Sequence, residues 1–239
     1  MRASSAPMGL GLVFSFLVLM SVPAQAGSNL LFNASFDCPT NPLSGWTYDY
    51  QWLGNKYYMN NHSYVSFVER EGTRKSVAKI HGTAETLVSP GQGVWMDSKP
   101  VPYEFGAKYR LTIWARTTGP AVRIYVTGYK WKPGVKPHDD PMMTDMYPNP
   151  PMPLYKQGSG SLLYFGNRKG GDSSGVKGTW SMGETTFPDD TPSDRALKAL
   201  RQVEFLVVHI CAVLGSAGDI FVDEANLEMI KAPNLNKTQ

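Results

Sequence analysis

The amino-acid sequence predicts an all-β protein: a two-sheet β-sandwich of jelly-roll type, with one short helix and a long Pro/Gly-rich insertion. Three observations predict it. Runs rich in Val, Ile, Tyr, Trp and Thr recur along the chain with Gly, Pro, Asn and Ser between them, the pattern of short strands and turns. Helical character is confined to residues 193–200, where Ser193 stands as an N-cap before Ala196-Leu197-Lys198-Ala199-Leu200. The 239 residues are 42% hydrophobic and 12% aromatic, too apolar for a disordered chain and enough for a packed core. Many short strands with one helix lead to a sandwich.

Residues 1–26 read as a secretory signal peptide. Arg2 is the only charge before Asp37, residues 8–20 are apolar or small but for Ser15, and Ala24-Gln25-Ala26 supplies a small-x-small cleavage signal. The apolar run is short of the ~20 residues that a spanning helix needs. The mature chain, 27–239, is thus predicted to be secreted or periplasmic, with no membrane span, and to form one domain with residues 133–180 inserted. Two cysteines remain, Cys38 and Cys211. In an exported chain they predict one disulfide, closing a loop long enough to contribute about 5 kcal/mol in the chain-entropy model; the alternative is two buried free thiols. The formal charge of +3 is spread along the chain, without the basic stripe of a nucleic-acid binder.

The predicted strands cover residues 30–36, 46–52, 64–68, 76–81, 93–96, 108–116, 121–130, 203–213 and 220–229, with 162–165 the one strand-like piece of the insertion. Residues 108–116 and 121–130, joined by Thr117-Thr118-Gly119-Pro120, are expected to pair as a hairpin. Parity then puts Tyr109, Leu111, Ile113, Ala115, Val122, Ile124 and Val126 on a core face. It puts Arg110, Trp114, Arg116, Arg123, Tyr125 and Tyr129 on a second, mixed face. A second hairpin, turning through Gly215-Ser216-Ala217-Gly218, would set Asp223 opposite His209 on an apolar face, where an acid needs a partner or an ion.

Several of these segments are similar to a known group. The opening Asn29-Leu30-Leu31-Phe32-Asn33-Ala34-Ser35-Phe36-Asp37 with Gly45-Trp46, the piece 106–116, and the close Gly218-Asp219-Ile220-Phe221-Val222-Asp223-Glu224-Ala225-Asn226-Leu227 resemble secreted carbohydrate-binding modules. The resemblance is to the jelly-roll, galactose-binding-like modules of families four, nine and twenty-two. It departs in two places: Glu224 and Ala225 stand where the family commonly has Asp-Val, and residues 133–180 have no counterpart. The resemblance implies a glucan- or xylan-type ligand and a structural calcium ion held by Asp37 and Asp223. Calcium takes six to eight oxygens, so carbonyls and water would complete the shell. The metal-free alternative is an Asp223–His209 pair.

For a sugar platform the mixed face offers Trp114, Tyr125 and Tyr129 to cover sugar rings, and Arg110, Arg116 and Arg123 to bond hydroxyls. The competing reading makes Trp114 and Tyr125 a small second core beneath the insertion. Tyr50 and Trp52, in the aromatic alternation from Trp46, are further candidates. No acid pair is spaced for glycoside cleavage, and there is no nucleophile elbow, phosphate loop or zinc spacing. His138-Asp139-Asp140 with Asp145 is the one His/Asp cluster in a loop. The expectation is a secreted, non-catalytic binder of a polysaccharide or glycan. The alternatives are a structural or adhesion domain of the same fold, then a glycan-cleaving enzyme.

Overall fold

The computed structural model describes residues 27–47, 64–87, 93–141, 145–147, 155–156, 163–165 and 178–233. The predicted signal peptide, Tyr50 and Trp52 lie outside the described residues. In chain order the strands are β1 (Trp46–Thr47), β2 (Val65–Glu71), β3 (Arg74–Gly82), β4 (Val94–Ser98), β5 (Val101–Pro102), β6 (Lys108–Thr117) and β7 (Pro120–Trp131). There follow β8 (Met146–Tyr147), β9 (Tyr155–Lys156), β10 (Leu163–Phe165), β11 (Ser181–Phe187), helix α1 (Asp194–Leu200), β12 (Phe205–Gly215) and β13 (Gly218–Lys231).

These strands make an all-β sandwich of two antiparallel sheets. The front sheet runs β1-β4-β12-β7-β10, with β5 paired to β12 and β8 and β9 to β7; the back sheet runs β11-β6-β13-β3-β2. The core lies between them and is built by alternation. In β6, Tyr109, Leu111, Ile113 and Ala115 are fully buried while the residues between them are half-buried. Val122, Ile124 and Val126 of β7 and Leu206, Val208, Ile210 and Ala212 of β12 face them from the front sheet. The expected core face is therefore the observed one, supplied by both sheets. The helix also forms as expected: Ser193 Oγ accepts the Ala196 N–H at 3.3 Å, and Asp194 and Lys198 sit at the ends their charges favour.

The hairpin expectation is corrected. β6 lies in the back sheet between β11 and β13, and β7 in the front sheet between β12 and β10. The 117–120 turn is an arch that carries the chain across the core, and the 215–218 turn does the same between β12 and β13. The two arches interlock. Thr118 N–H donates to Asp219 O at 2.9 Å, and Asp219 N–H to Thr118 Oγ1 at 2.8 Å. A Cβ on Gly119 would stand 2.5 Å from Ala217 O, so only glycine allows this approach.

Two smaller differences have local causes. Residues 30–36 form turns, not a strand, because Asn33 and Phe36 take left-handed φ of 48° and 54°. Asn33 then ties the loop together: Nδ2 donates to Pro42 O at 2.7 Å and to Ser44 O at 2.9 Å. β11, which the spacing does not mark as a strand, pairs with β6 along its whole length and edges the back sheet.

Because the arches leave no room at their contact, Gly119→Ala is expected to destabilise the fold by about 1–3 kcal/mol, as overpacking does. Denaturant unfolding measures it, and an unchanged midpoint would refute the close-contact account.

Candidate functional site

The expected mixed face is divided by the arch. Arg110, Trp114 and Arg116 lie on the outer face of the back sheet. Arg123, Tyr125 and Tyr129 lie on the outer face of the front sheet, with the whole sandwich between the two sets.

On the back face the three residues are committed to neighbours. Arg110 Nε donates to Glu228 Oε1 at 2.6 Å, and Arg116 pairs with Glu71 while lying 5.4 Å over the Phe221 ring. Trp114 carries the Arg74 guanidinium 4.2 Å above its ring, and Trp180 flanks the same guanidinium at 5.0 Å. Trp114 is thus part of a Trp–Arg–Trp stack, a cation–π arrangement.

Asp37 and Asp223 both line an open pocket of about 460 Å³, together with Arg74, Lys75 and Glu224. A bulge places Asp223 there. Relative to β6, the register of β13 shifts between Asp223 and Asn226, and Glu224 takes a left-handed φ of 48°. The bulge reverses parity. Val222 before it and Ala225 and Leu227 after it all face the core, and Asp223 stays on the outer side. Asp223 is not opposite His209, as expected from a hairpin, because the two strands belong to different sheets.

Arg74 Nη1 donates to Asp223 Oδ2 at 2.8 Å and approaches Glu224 Oε2 at 3.1 Å; Asp223 Oδ1 accepts the Glu224 N–H at 2.8 Å. Burial raises the Asp223 carboxyl above its ordinary range, and the Arg74 and Glu224 bonds oppose that rise without cancelling it. Burial of Arg74 acts to lower its pKa, yet the two acids raise it overall. Both Asp223 oxygens are already engaged, one of them by a cation. Among the described residues no three His, Cys, Asp or Glu form a group able to hold a metal ion. As placed, Arg74 supplies Asp223 with the counter-charge that the resemblance would assign to calcium.

The expected disulfide is not formed: Cys38 and Cys211 both remain thiols. Cys38 sits in the opening loop, where its N–H donates to Asn33 Oδ1 at 3.1 Å. Contact with Thr40 Oγ1 and the backbone of residues 40 and 41 lowers its pKa. Cys211 is buried on the outer face of the front sheet, its Sγ–H donating to Arg123 O at 3.2 Å. The His/Asp loop cluster also divides, His138 to Asp145 at 3.3 Å and Asp140 to Lys99 at 2.7 Å.

The outer face of the front sheet holds the arrangement that sequence reasoning missed. Across one row of the ladder, Thr47, Asp97, His209 and Tyr125 are successive Cα partners. His209 Nδ1 lies 2.6 Å from Asp97 Oδ1, and its Nε2 2.6 Å from Thr127 Oγ1. An ionised carboxylate only accepts, so Nδ1–H donates to Asp97 and, in neutral imidazole, Nε2 accepts the Thr127 hydroxyl. The ring is flanked edge-on by Trp95, 5.9 Å away, and Tyr129, 6.5 Å away. Tyr129 packs with Met146, Phe205 and Val207 in a second apolar cluster, at 0% exposure. Tyr125 is described in its backbone only. Asp97 is also at 0% exposure, yet among the described residues its Oδ2 has no hydrogen-bond partner. A sequence signal existed: strand parity from Trp95 puts Asp97 on the same face, but the predicted strand stopped at Met96.

Compared by sequence, the chain matches no protein-family model and no characterised protein. Compared by structure, it is similar to a family 16 carbohydrate-binding module over 83% of this chain and 99% of the module, at 18% identity and a TM-score of 0.42. It is similar to a family 4 carbohydrate-binding module over the same shares, at 12% identity and a TM-score of 0.40. A Stig cyclase from Fischerella sp. TAU, in complex with an indole ligand, matches over 87% of this chain and 100% of the cyclase, at 14% identity and a TM-score of 0.43. At such identities the likeness is one of fold. No helix among the described residues is long and apolar enough to cross a membrane.

Three outcomes follow from this geometry. The melting temperature should be the same in chelator and in millimolar calcium, whereas Arg74→Ala should cost about 3 kcal/mol by stripping two acids of their cation. A calcium-dependent melting curve would overturn the assignment of Arg74. Thiol titration of the unreduced, denatured protein should find both cysteines reactive, and in the native protein Cys38 should react well before Cys211. Finding no free thiol would restore the bridge.

Proposed function

We propose that the protein is an exported, non-catalytic carbohydrate-binding protein, and that its ligand contacts the outer face of the front sheet around Asp97 and His209. The observation that carries this reading is the Asp97 carboxylate, a buried acceptor with one oxygen that has no partner among the described residues, set beside the rings of Trp95 and Tyr129. A sugar offers hydroxyl donors at its rim and apolar C–H faces to aromatic rings, so it complements both features. The divided back face supports no such role, since its aromatic and cationic groups are spent on one another. Carbohydrate-binding modules among the similar structures agree with the fold, while the binding reading itself rests on the face.

One observation favours the structural or adhesion alternative: Tyr129 and Asp97 are closed off from solvent, as in a second core. A glycan array with a parallel assay for released reducing ends separates the readings. Binding without release is the expected result. Release would make the protein an enzyme, and an array without hits would leave a structural domain. Arg110→Ala, on the opposite side of the sandwich, should leave affinity within about twofold, because exposed ion pairs contribute little beyond their own surroundings. A large loss in that variant would move the site to the back face.

A further inference from the structure

We propose that the ligand of the front face is an acidic glycan, with a sugar carboxylate held by Lys99 at the rim and an adjoining C–H face laid on the Phe32 ring. The inference deepens the carbohydrate reading and rests on it. The charge of the front sheet points this way. Its described strands carry Arg123, Lys130 and Lys156 against a single acid, Asp97, and that acid is bonded to His209 at 2.6 Å. Arg123 stands in the ladder row of Cys211, and Lys156 opposite Thr127. A surface of this sign draws anions. The back sheet differs, because its arginines are paired with its own acids: Arg74 with Asp223, Arg110 with Glu228 and Arg116 with Glu71.

Lys99 follows β4 by one residue and lies two beyond Asp97; its N–H donates to Gly45 O at 2.7 Å. Its ammonium donates to Asp140 Oδ1 at 2.7 Å and stands 5.5 Å over the Phe32 ring. Phe32, at 55% exposure, is the most exposed large hydrophobic residue described. Gly45 holds it there, since a Cβ at that position would collide with the ring. Asp140 belongs to the insertion, and its side chain is 71% exposed. A carboxylate on an ammonium beside an open aromatic ring is the arrangement that a uronate sugar would itself make, its acid on Lys99 and its C–H face on Phe32. Exposed ion pairs are weak, so Asp140 yields readily to a ligand carboxylate that brings the ring contact with it. A neutral sugar has no charge with which to replace Asp140.

The test is a calorimetric titration of the intact protein with oligogalacturonate and oligomannuronate, each against its own methyl ester, and with neutral glucan and xylan oligosaccharides of the same length. Esterification removes the charge and leaves the sugar. At least one uronate is expected to bind about tenfold more tightly than its ester, as a charge-assisted bond requires. Lys99→Met, which keeps the stem over Phe32, should abolish that difference. Asp140→Asn should strengthen uronate binding several-fold, because the competing carboxylate is gone; an unchanged affinity would refute the competition. Both side chains lie at the surface, and the comparison of acid with ester needs no variant. Equal binding of acid and ester, or an undiminished difference in Lys99→Met, would overturn the proposal and leave the carbohydrate reading in place. Binding of the neutral oligosaccharides alone would do the same. Binding of none of these sugars would count against the carbohydrate reading as well.

Discussion

Tyr109, Leu111, Ile113 and Ala115 of β6 face Val122, Ile124 and Val126 of β7 across the core, in different sheets, and much of the molecule depends on that opposition. Four residues join the two strands. A turn of that length could have folded them side by side. The chain instead crosses the core at 117–120 and again at 215–218, so consecutive strands bury the same parity against each other from opposite sides. Glycine makes this possible where the arches touch: Gly119 lies against the backbone of Ala217, and Gly218 against Thr118. Each arch satisfies the other's backbone through Thr118 and Asp219.

The crossing has an electrostatic consequence on the back face. With β13 seated between β6 and β3, Asp223 comes beneath the β2–β3 turn, from which Arg74 reaches back. The bulge at Glu224 keeps Asp223 on the outer side while Ala225 and Leu227 return to the core. A carboxylate in that position needs a counter-charge, and the chain places its own guanidinium there between two indole rings. The left-handed φ of Glu224 is the local cost of that parity reversal.

The front face follows a different logic. Its inner residues complete the main core, while its outer residues form a second, smaller apolar cluster interrupted by polar side chains. Asp97, His209 and Thr127 satisfy one another in sequence, and among the described residues one Asp97 oxygen is left without a hydrogen-bond partner. A fully apolar outer face would have been simpler to bury. The retention of an acid, an imidazole and a hydroxyl in one line, between Trp95 and Tyr129, is what distinguishes this face from plain core.

By itself the sequence determined the all-β class, the capped helix at Ser193 and the inward parity of β6 and β7. All are local properties. Side-chain alternation has a period of two whatever the partner, and a cap needs only its next three residues. Which strand lies beside which was decided by the tertiary structure. A hairpin and an arch bury the same residues of β6 and β7, so parity cannot tell them apart. That one undetermined choice split Trp114 from Tyr129, parted Asp223 from His209, and gave His209 to Asp97 instead. The sharpest groups in the molecule, Arg74 over Asp223 and Asp97 beside His209, meet across separations of 149 and 112 residues. Contacts so distant carry no local pattern, and only the packing of two sheets brings them together.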